Sequence, residues 1–291
     1  MINFISYIID GISLGSVYAI IALGYTMVYG IAKMLNFAHG DVIMIGSYVI
    51  FLAIAKLNLP VIVSALIGVA ACTLLGVIIE KLAYKPLRSA PSLAVLITAI
   101  GVSYFLQNGA QLVWTSSTKI FPSIIENKLV IGRLSIPYIT LVTILACSVI
   151  MIVLMLFINK TKTGKALRAC SEDKGAASLM GINVDQIISL TFAIGSGLAA
   201  VASLLLSATY PAVNPTMGSM PGIKAFTAAV FGGIGSLPGA FLGGVLLGII
   251  EVLAKAYIST ELSDAIVFLV LIVVLLIKPV GLLGTNKREK V

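Results

Sequence analysis

The chain has 291 residues, 59% of them hydrophobic and 10% charged, with a mean hydropathy of +1.13. A soluble domain carries about 25% charged residues, so this composition excludes a chain that covers its own surface with water. The net charge of +8 would suit nucleic acid, but the basic residues gather at the ends of apolar runs, where they signal orientation in a membrane and not a nucleic-acid patch.

From the N-terminus, MINFISYIID has neither a basic leader nor a small-residue cleavage site, so no removable signal peptide is expected. A bilayer crossing needs roughly 20 apolar residues as a helix. Crossings are predicted near 5–29, 37–56, 60–80, 91–114, 136–158, 186–209 and 262–278, with 115–135 as the longest external loop. Between the last two crossings, GIKAFTAAVFGG (222–233) would span only about 18 Å as a helix against a hydrocarbon core of about 30 Å. The interruption GGIGSLPGA leads into a longer arm, 238–257. Irregular backbone at membrane depth survives only inside protein or along a wet cavity, which places this hairpin in the interior. The expected fold is an all-α polytopic membrane protein with about seven full transmembrane helices plus a Gly/Pro-interrupted hairpin. It forms one domain, 1–291, with no soluble domain, low-complexity tract or clear sequence repeat.

Basic residues concentrate in three regions: Lys81, Lys85 and Arg88; Lys160, Lys162, Lys165, Arg168 and Lys174; and Lys278, Lys287, Arg288 and Lys290. With Lys33 they account for 13 of the 19 basic residues. Placing them in the cytoplasm puts the N-terminus outside and the C-terminus inside, in a bacterial-type inner membrane. Lys56, Lys119, Lys128, Arg133, Lys224 and Lys255 then lie outside.

Small residues recur every fourth position, as in Gly11, Gly15 and Ala19; Gly195, Ala199, Ser203 and Ser207; and Gly235, Gly239 and Gly243. Such stripes let helix backbones approach closely in lipid, so Gly11, Gly15, Gly235, Gly239 and Gly243 are read as packing positions. The hydroxyls of Ser203 and Ser207 could also face a translocation path.

The stretch NFAHGD (36–41) puts an amide, an imidazole and a carboxylate into six positions, and His39 is the one histidine of the chain. Asn36 is a good N-cap type and Asp41 suits the first turn of the next helix, with His39 at the interface. Ionisable groups at a membrane face also mark paths and contacts, so Asn36, His39 and Asp41 are candidates for a path or gate. No midplane carboxylate or broken-helix ion site is evident. Glu251 and Lys255 form an i,i+4 pair, read as structural and near the outer face. The three cysteines are scattered, and no His/Cys/Asp cluster has metal or nucleophile spacing. Neither catalytic residue, metal nor cofactor is expected.

The loop 159–185 is the sizeable cytoplasmic segment. Ser171 is predicted to cap a short helix with Glu172 and Asp173 in its first turn and Gly181 at its stop. Ala176, Leu179 and Met180 share a face, and so short a helix needs a partner to stay folded. GAASLMG (175–181) resembles the EAA-loop signature of ABC-transporter permeases, although Gly175 stands where that signature has glutamate. Together with GISLGSVYAIIALGYTMVYGI, LNFAHGDVIMIGSYV and FGGIGSLPGAFLGG, it makes the chain similar to the permeases of high-affinity branched-chain amino acid ABC importers, H-type subunits in particular.

The resemblance implies a transmembrane subunit for branched-chain or other apolar amino acids. Its implied partners are a second permease, identical or different, two cytoplasmic ABC ATPases and an extracytoplasmic solute-binding protein. Glu172, Asp173, Ala176, Ala177, Leu179, Met180 and Gly181 would form the ATPase-coupling helix. No phosphate loop of the form G-x-x-x-x-G-K-[ST] occurs, so ATP hydrolysis is expected in the partners. Two other readings stay open: a permease of the same family for urea or short amides, and a proton-coupled secondary transporter using His39 and Asp41.

Overall fold

The computed structural model describes residues 2–284 apart from 126 and 133. Arg133, Lys287, Arg288 and Lys290 therefore lie outside the described residues. The chain is built almost wholly of helices: α1 (Ile2–Ala32), α2 (His39–Ala55), α3 (Val61–Ile79), α4 (Ser92–Trp114), α5 (Tyr138–Lys160), α6 (Lys162–Glu172), α7 (Lys174–Leu179), α8 (Val184–Thr209), α9 (Ser219–Gly232), α10 (Leu237–Tyr257) and α11 (Ser263–Ile277). Pro60, Pro91 and Pro137 immediately precede α3, α4 and α5 in extended conformation. Each sits where a residue without an N–H takes nothing from a helical ladder. After Ile79 the helix widens into a π turn, Glu80–Tyr84, then tightens to a 3₁₀ turn, Lys85–Leu87.

Among the described residues, six helices are long and apolar enough to cross a bilayer: α1, α3, α4, α5, α8 and α10. The crossings expected at 37–56 and 262–278 are realised as α2 and α11, apolar but only 17 and 15 residues long. The hairpin takes the form of α9, a turn at 233–236 and the long arm α10. Its turn is closed by the segment after α11: Leu282 and Leu283 donate backbone N–H groups to the carbonyls of Phe231 and Gly232, at 2.9 and 2.8 Å. These are carbonyls that a helix terminus otherwise leaves unpaired.

The helices interlock across the chain. α1 packs most extensively against α10 and α8 against α3, while α1 and α8 meet at the centre; α2 lies beside α3 and α8, and α9 beside α10 and α1. The groups α1–α4 and α8–α11 thus repeat one arrangement with the chain direction inverted. Although no repeat was legible in the sequence, Asn36-Phe-Ala-His-Gly40 at the entry to α2 has a counterpart in Asn214-Pro-Thr-Met-Gly218 at the entry to α9.

Lys33, the turns at 80–91, the 160–183 segment and residues 281–284 gather at one end of the bundle, tied by Lys174 Nζ donating to the Ala32 carbonyl (2.9 Å) and by Arg88 bonding Asp185. At the other end, β1 (Lys119–Ile120) pairs antiparallel with β4 (Ala212–Val213), and β2 (Lys128–Ile131) with β3 (Leu134–Pro137). α4 and α5 turn much of their surface outward, with Leu93, Ile97, Phe105, Leu145 and Ile152 exposed, as suits lipid or a neighbouring subunit.

The glycine stripes divide between two crossings. Gly11 and Gly15 meet Ile249 and Val245, and Gly244 and Gly248 meet Ala19 and Gly15, so α1 and α10 touch backbone to backbone. On another face of α10, Gly239 and Gly243 abut Gly232 and Ala228 of α9. Gly235 does not belong to that stripe. It lies in the turn before α10 at φ +92, and a Cβ there would meet nothing within 4 Å. What position 235 requires is the left-handed backbone that favours glycine, not close packing.

Candidate functional site

Two half-helices start inside the bundle and meet. Gly24 lies eight residues before the end of α1, about 12 Å along the axis, and the His39 ring fills the space its missing side chain leaves: a Cβ at Gly24 would lie 2.6 Å from His39 Nε2. Residues 33–38 therefore dip inward before α2 begins. α9 begins at the same depth, because Gly40 faces Gly218 and Gly222 across the contact. The N-termini of α2 and α9 cross at these three glycines.

Around that crossing the candidate residues are buried and do not lie at an interface with water. His39 is 1% exposed, its ring edge-on to Tyr25 at 4.7 Å, and its Nε2 has no hydrogen-bond partner among the described residues. Asp41 occupies the first turn of α2, and its Oδ1 accepts from Gln107 Nε2 at 2.8 Å; the same amide nitrogen lies 3.2 Å from the Ser103 and Ser219 hydroxyls. The sequence showed no broken-helix site; the structure places Asp41 where the N-termini of two short helices, α2 and α9, meet. Asn36 does not cap α2, whose N-cap is Ala38 with no side-chain bond. Its Oδ1 accepts instead from the Tyr84 hydroxyl at 2.9 Å, pinning the inward dip to the π turn.

Ser203 and Ser207 are fully buried between α2 and α8 and do not line an open cavity. Ser207 Oγ donates to Ser47 Oγ at 3.0 Å, and Ser203 Oγ donates to the Ala200 carbonyl at 2.7 Å. The Ser207–Ser47 bond is an interhelical polar contact of the kind that holds helices together in lipid, whereas the Ser203 hydroxyl is satisfied within α8.

A second polar cluster went unrecognised in sequence. Lys224 on α9 pairs with Glu251 (2.8 Å) and Asp264 (2.6 Å), Lys255 pairs with the same Glu251 oxygen (2.6 Å), and Tyr18 Oη donates to Glu251 Oε2 (2.9 Å). The Glu251–Lys255 pair is thus one edge of a network joining α1, α9, α10 and α11. Glu251 is its shared acceptor, and Lys224, counted only as a basic residue on the outer side, is buried inside it. Nothing in local spacing announces partners 27 residues away and beyond.

At the basic end, the short helix of the 159–185 loop differs from expectation. Ser171 belongs to α6, and its hydroxyl donates to the Arg168 carbonyl. Glu172 is the last residue of α6, not part of a new first turn. Asp173 is the N-cap of α7, its Oδ1 accepting from Gly175 N at 2.7 Å and Ala176 N at 3.0 Å. A carboxylate cap outcompeted the serine because Asp173 is the residue with extended φ and ψ at the kink. Gly181 follows at φ +81, the left-handed stop expected of it. Ala177 is buried against the bundle, whereas Ala176, Leu179 and Met180 are exposed, the last two at 90% and 83%. The apolar edge therefore points away from the protein. The amphipathic α6, which the sequence left as loop, braces it.

The chain matches the family model described as "Branched-chain amino acid transport system / permease component" over residues 7–275. It is 47% identical to the high-affinity branched-chain amino acid transport system permease protein LivH of Escherichia coli K12, across 99% of this chain and 98% of that one. Against BraD of Pseudomonas aeruginosa, a protein of the same description, it is 44% identical with the same coverage. It is also 30% identical to a probable LivH of Methanocaldococcus jannaschii over 93% of this chain and 89% of that one. With these matches and its six bilayer-length helices, the chain belongs to the branched-chain amino acid transport permease family of multi-pass membrane proteins.

Proposed function

We propose that this permease moves branched-chain or other apolar amino acids as the membrane-spanning subunit of an ABC importer. It would work beside a second permease, with two cytoplasmic ATPases and an extracytoplasmic binding protein. The observation that carries this reading is identity of 44–47% along nearly the whole length of proteins bearing that description. The basic end of the bundle is assigned to the cytoplasm, which sets the N-terminus outside. α7 is the coupling element: a rigidly capped turn offering Leu179 and Met180 to a partner groove, the usual way an apolar helical edge is recognised. Asp41 is placed as a structural carboxylate, satisfied by Gln107 and by the positive ends of two half-helices, and the coupling energy comes from ATP.

Leu179→Asp with Met180→Asp tests the assignment, since both side chains are exposed and their change leaves the bundle intact. Normal membrane levels, weakened ATPase co-purification and lost leucine uptake are expected. Full ATPase binding with coupled uptake would remove α7 from the coupling role. Ala177→Arg is a poorer probe, because it would also break packing. In proteoliposomes of the whole assembly, a protonophore should leave ATP-driven uptake unchanged; abolition of uptake would favour proton coupling through Asp41.

A further inference from the structure

Beside the base of α7 lies a cavity of about 360 Å³, walled by Tyr29, Ala32, Met34, Leu35, Val95 and Leu96 and rimmed by Lys33, Arg88 and Lys174. No carboxylate lines it. Arg88 is neutralised from the far side by Glu80 and Asp185, and Lys85 shares Asp185. The Arg88 Nε is buried without a hydrogen-bond partner among the described residues. Lys33 and Lys174 have no carboxylate partner among the described residues; Lys174 donates to the Ala32 carbonyl, and Lys33 lies 5.9 Å from the Tyr29 ring. Burial, with the charges of Arg88 and Lys33 adding to it, holds the Lys174 ammonium below the usual lysine range. The N-terminus of α4 opens at Ser92 on the rim, and no side chain caps it. From there the apolar wall continues along α4, whose Leu93 and Ile97 are exposed to the bilayer side.

We propose that this cavity binds the headgroup of an anionic phospholipid, with an acyl chain lying along α4. Lys33 and Lys174, together with the uncapped N-terminus of α4, suit a phosphodiester anion, which accepts hydrogen bonds and donates none. The apolar wall, open towards lipid, suits a molecule whose charged end is joined to a hydrocarbon. A soluble anion would leave that wall against water. Basic pockets between membrane helices at the end where basic loops gather have this chemistry. Lys33 ends α1 and Lys174 starts α7, so the lipid bridges the central helix and the element assigned to coupling. The lipid site stands on geometry alone; its effect on coupling rests on the function proposed above.

The test uses the full-length chain, alone and in the importer complex, in nanodiscs of phosphatidylcholine containing phosphatidylglycerol, with retained lipid measured by native mass spectrometry. Phosphatidylglycerol should be retained over phosphatidylcholine. Lys33→Gln with Lys174→Gln should weaken retention by roughly tenfold or more, given what two basic residues contribute at a charged membrane surface. Lys33→Arg with Lys174→Arg should restore it, which separates lost charge from misfolding. Lys160→Gln with Lys162→Gln, away from the cavity, should leave it unchanged. Equal retention in the Lys33/Lys174 glutamine variant and wild type would overturn the site. So would displacement by inorganic phosphate, which would make the ligand a soluble anion, or loss of the bound lipid when the ATPases join, which would make it a protein interface. These readouts are independent of uptake, so their failure leaves the transport reading standing.

Discussion

At the scale of single residues, several polar groups inside this bundle are joined across elements distant in the chain. The Tyr84 hydroxyl is the partner of Asn36, so Tyr84→Phe leaves a buried amide oxygen unpaired at a cost of about 1–3 kcal/mol, to be read as a lower thermal midpoint in detergent. Asn36 was legible as a helix-start residue type; its actual role was not, because the π turn that delivers Tyr84 has no local sequence signature. Lys224→Met should be costlier. It leaves the half-exposed Asp264 without its lysine and Glu251 held by Lys255 and Tyr18 alone, a loss of about 3 kcal/mol, the low end for breaking a buried pair because Glu251 keeps two partners. Lys224→Met with Asp264→Leu should recover part of that loss. If the double variant is no more stable than the single one, the two residues are not energetically linked.

At the scale of elements, what sequence could and could not show divides by how local the cause is. Apolar runs and the Gly181 stop are local, and they were readable. Which of Ser171 and Asp173 caps α7 depends on where α6 ends, and α6 is held by Leu167 and Cys170, both buried against the bundle. Asp173→Ala should cost about 0.5–2 kcal/mol at that helix, seen as faster amide exchange confined to α7, while Ser171→Ala should leave exchange there unchanged. The same division separates glycines. A side chain at Gly248 would enter the backbone of Gly15, so Gly248→Leu should prevent α1 and α10 from closing and abolish recoverable protein. Gly235→Ala meets no neighbour and pays only for its φ of +92, about 1–2 kcal/mol. Comparable losses from both variants would contradict the distinction between a packing glycine and a turn glycine.

At the scale of the whole molecule, the two inverted halves do not fold as two bodies. α1 closes on α10 and α3 on α8, so each half buries its long helices in the other. The sequence concealed this, because inversion keeps a backbone arrangement while the lining residues diverge, leaving little beyond Asn36/Gly40 and Asn214/Gly218 as an echo. Co-expression of residues 1–125 with 126–291, divided in the loop 115–135, should restore an assembled permease. Either fragment alone should be degraded. A protease-resistant 1–125 fragment on its own would mean that the first half is self-sufficient.

The interlock also sets a schedule for synthesis. Tyr18 and its partner Glu251 are separated by 233 positions, which at about 5–20 residues per second is roughly 10–50 s of translation. For that interval α1 sits in the bilayer with its small-residue face and the Tyr18 hydroxyl open to whatever lies alongside. The first segment inserted is among the last to find its mate, so its glycine-lined surface is the part of the nascent chain most in need of a chaperone or a neighbouring subunit.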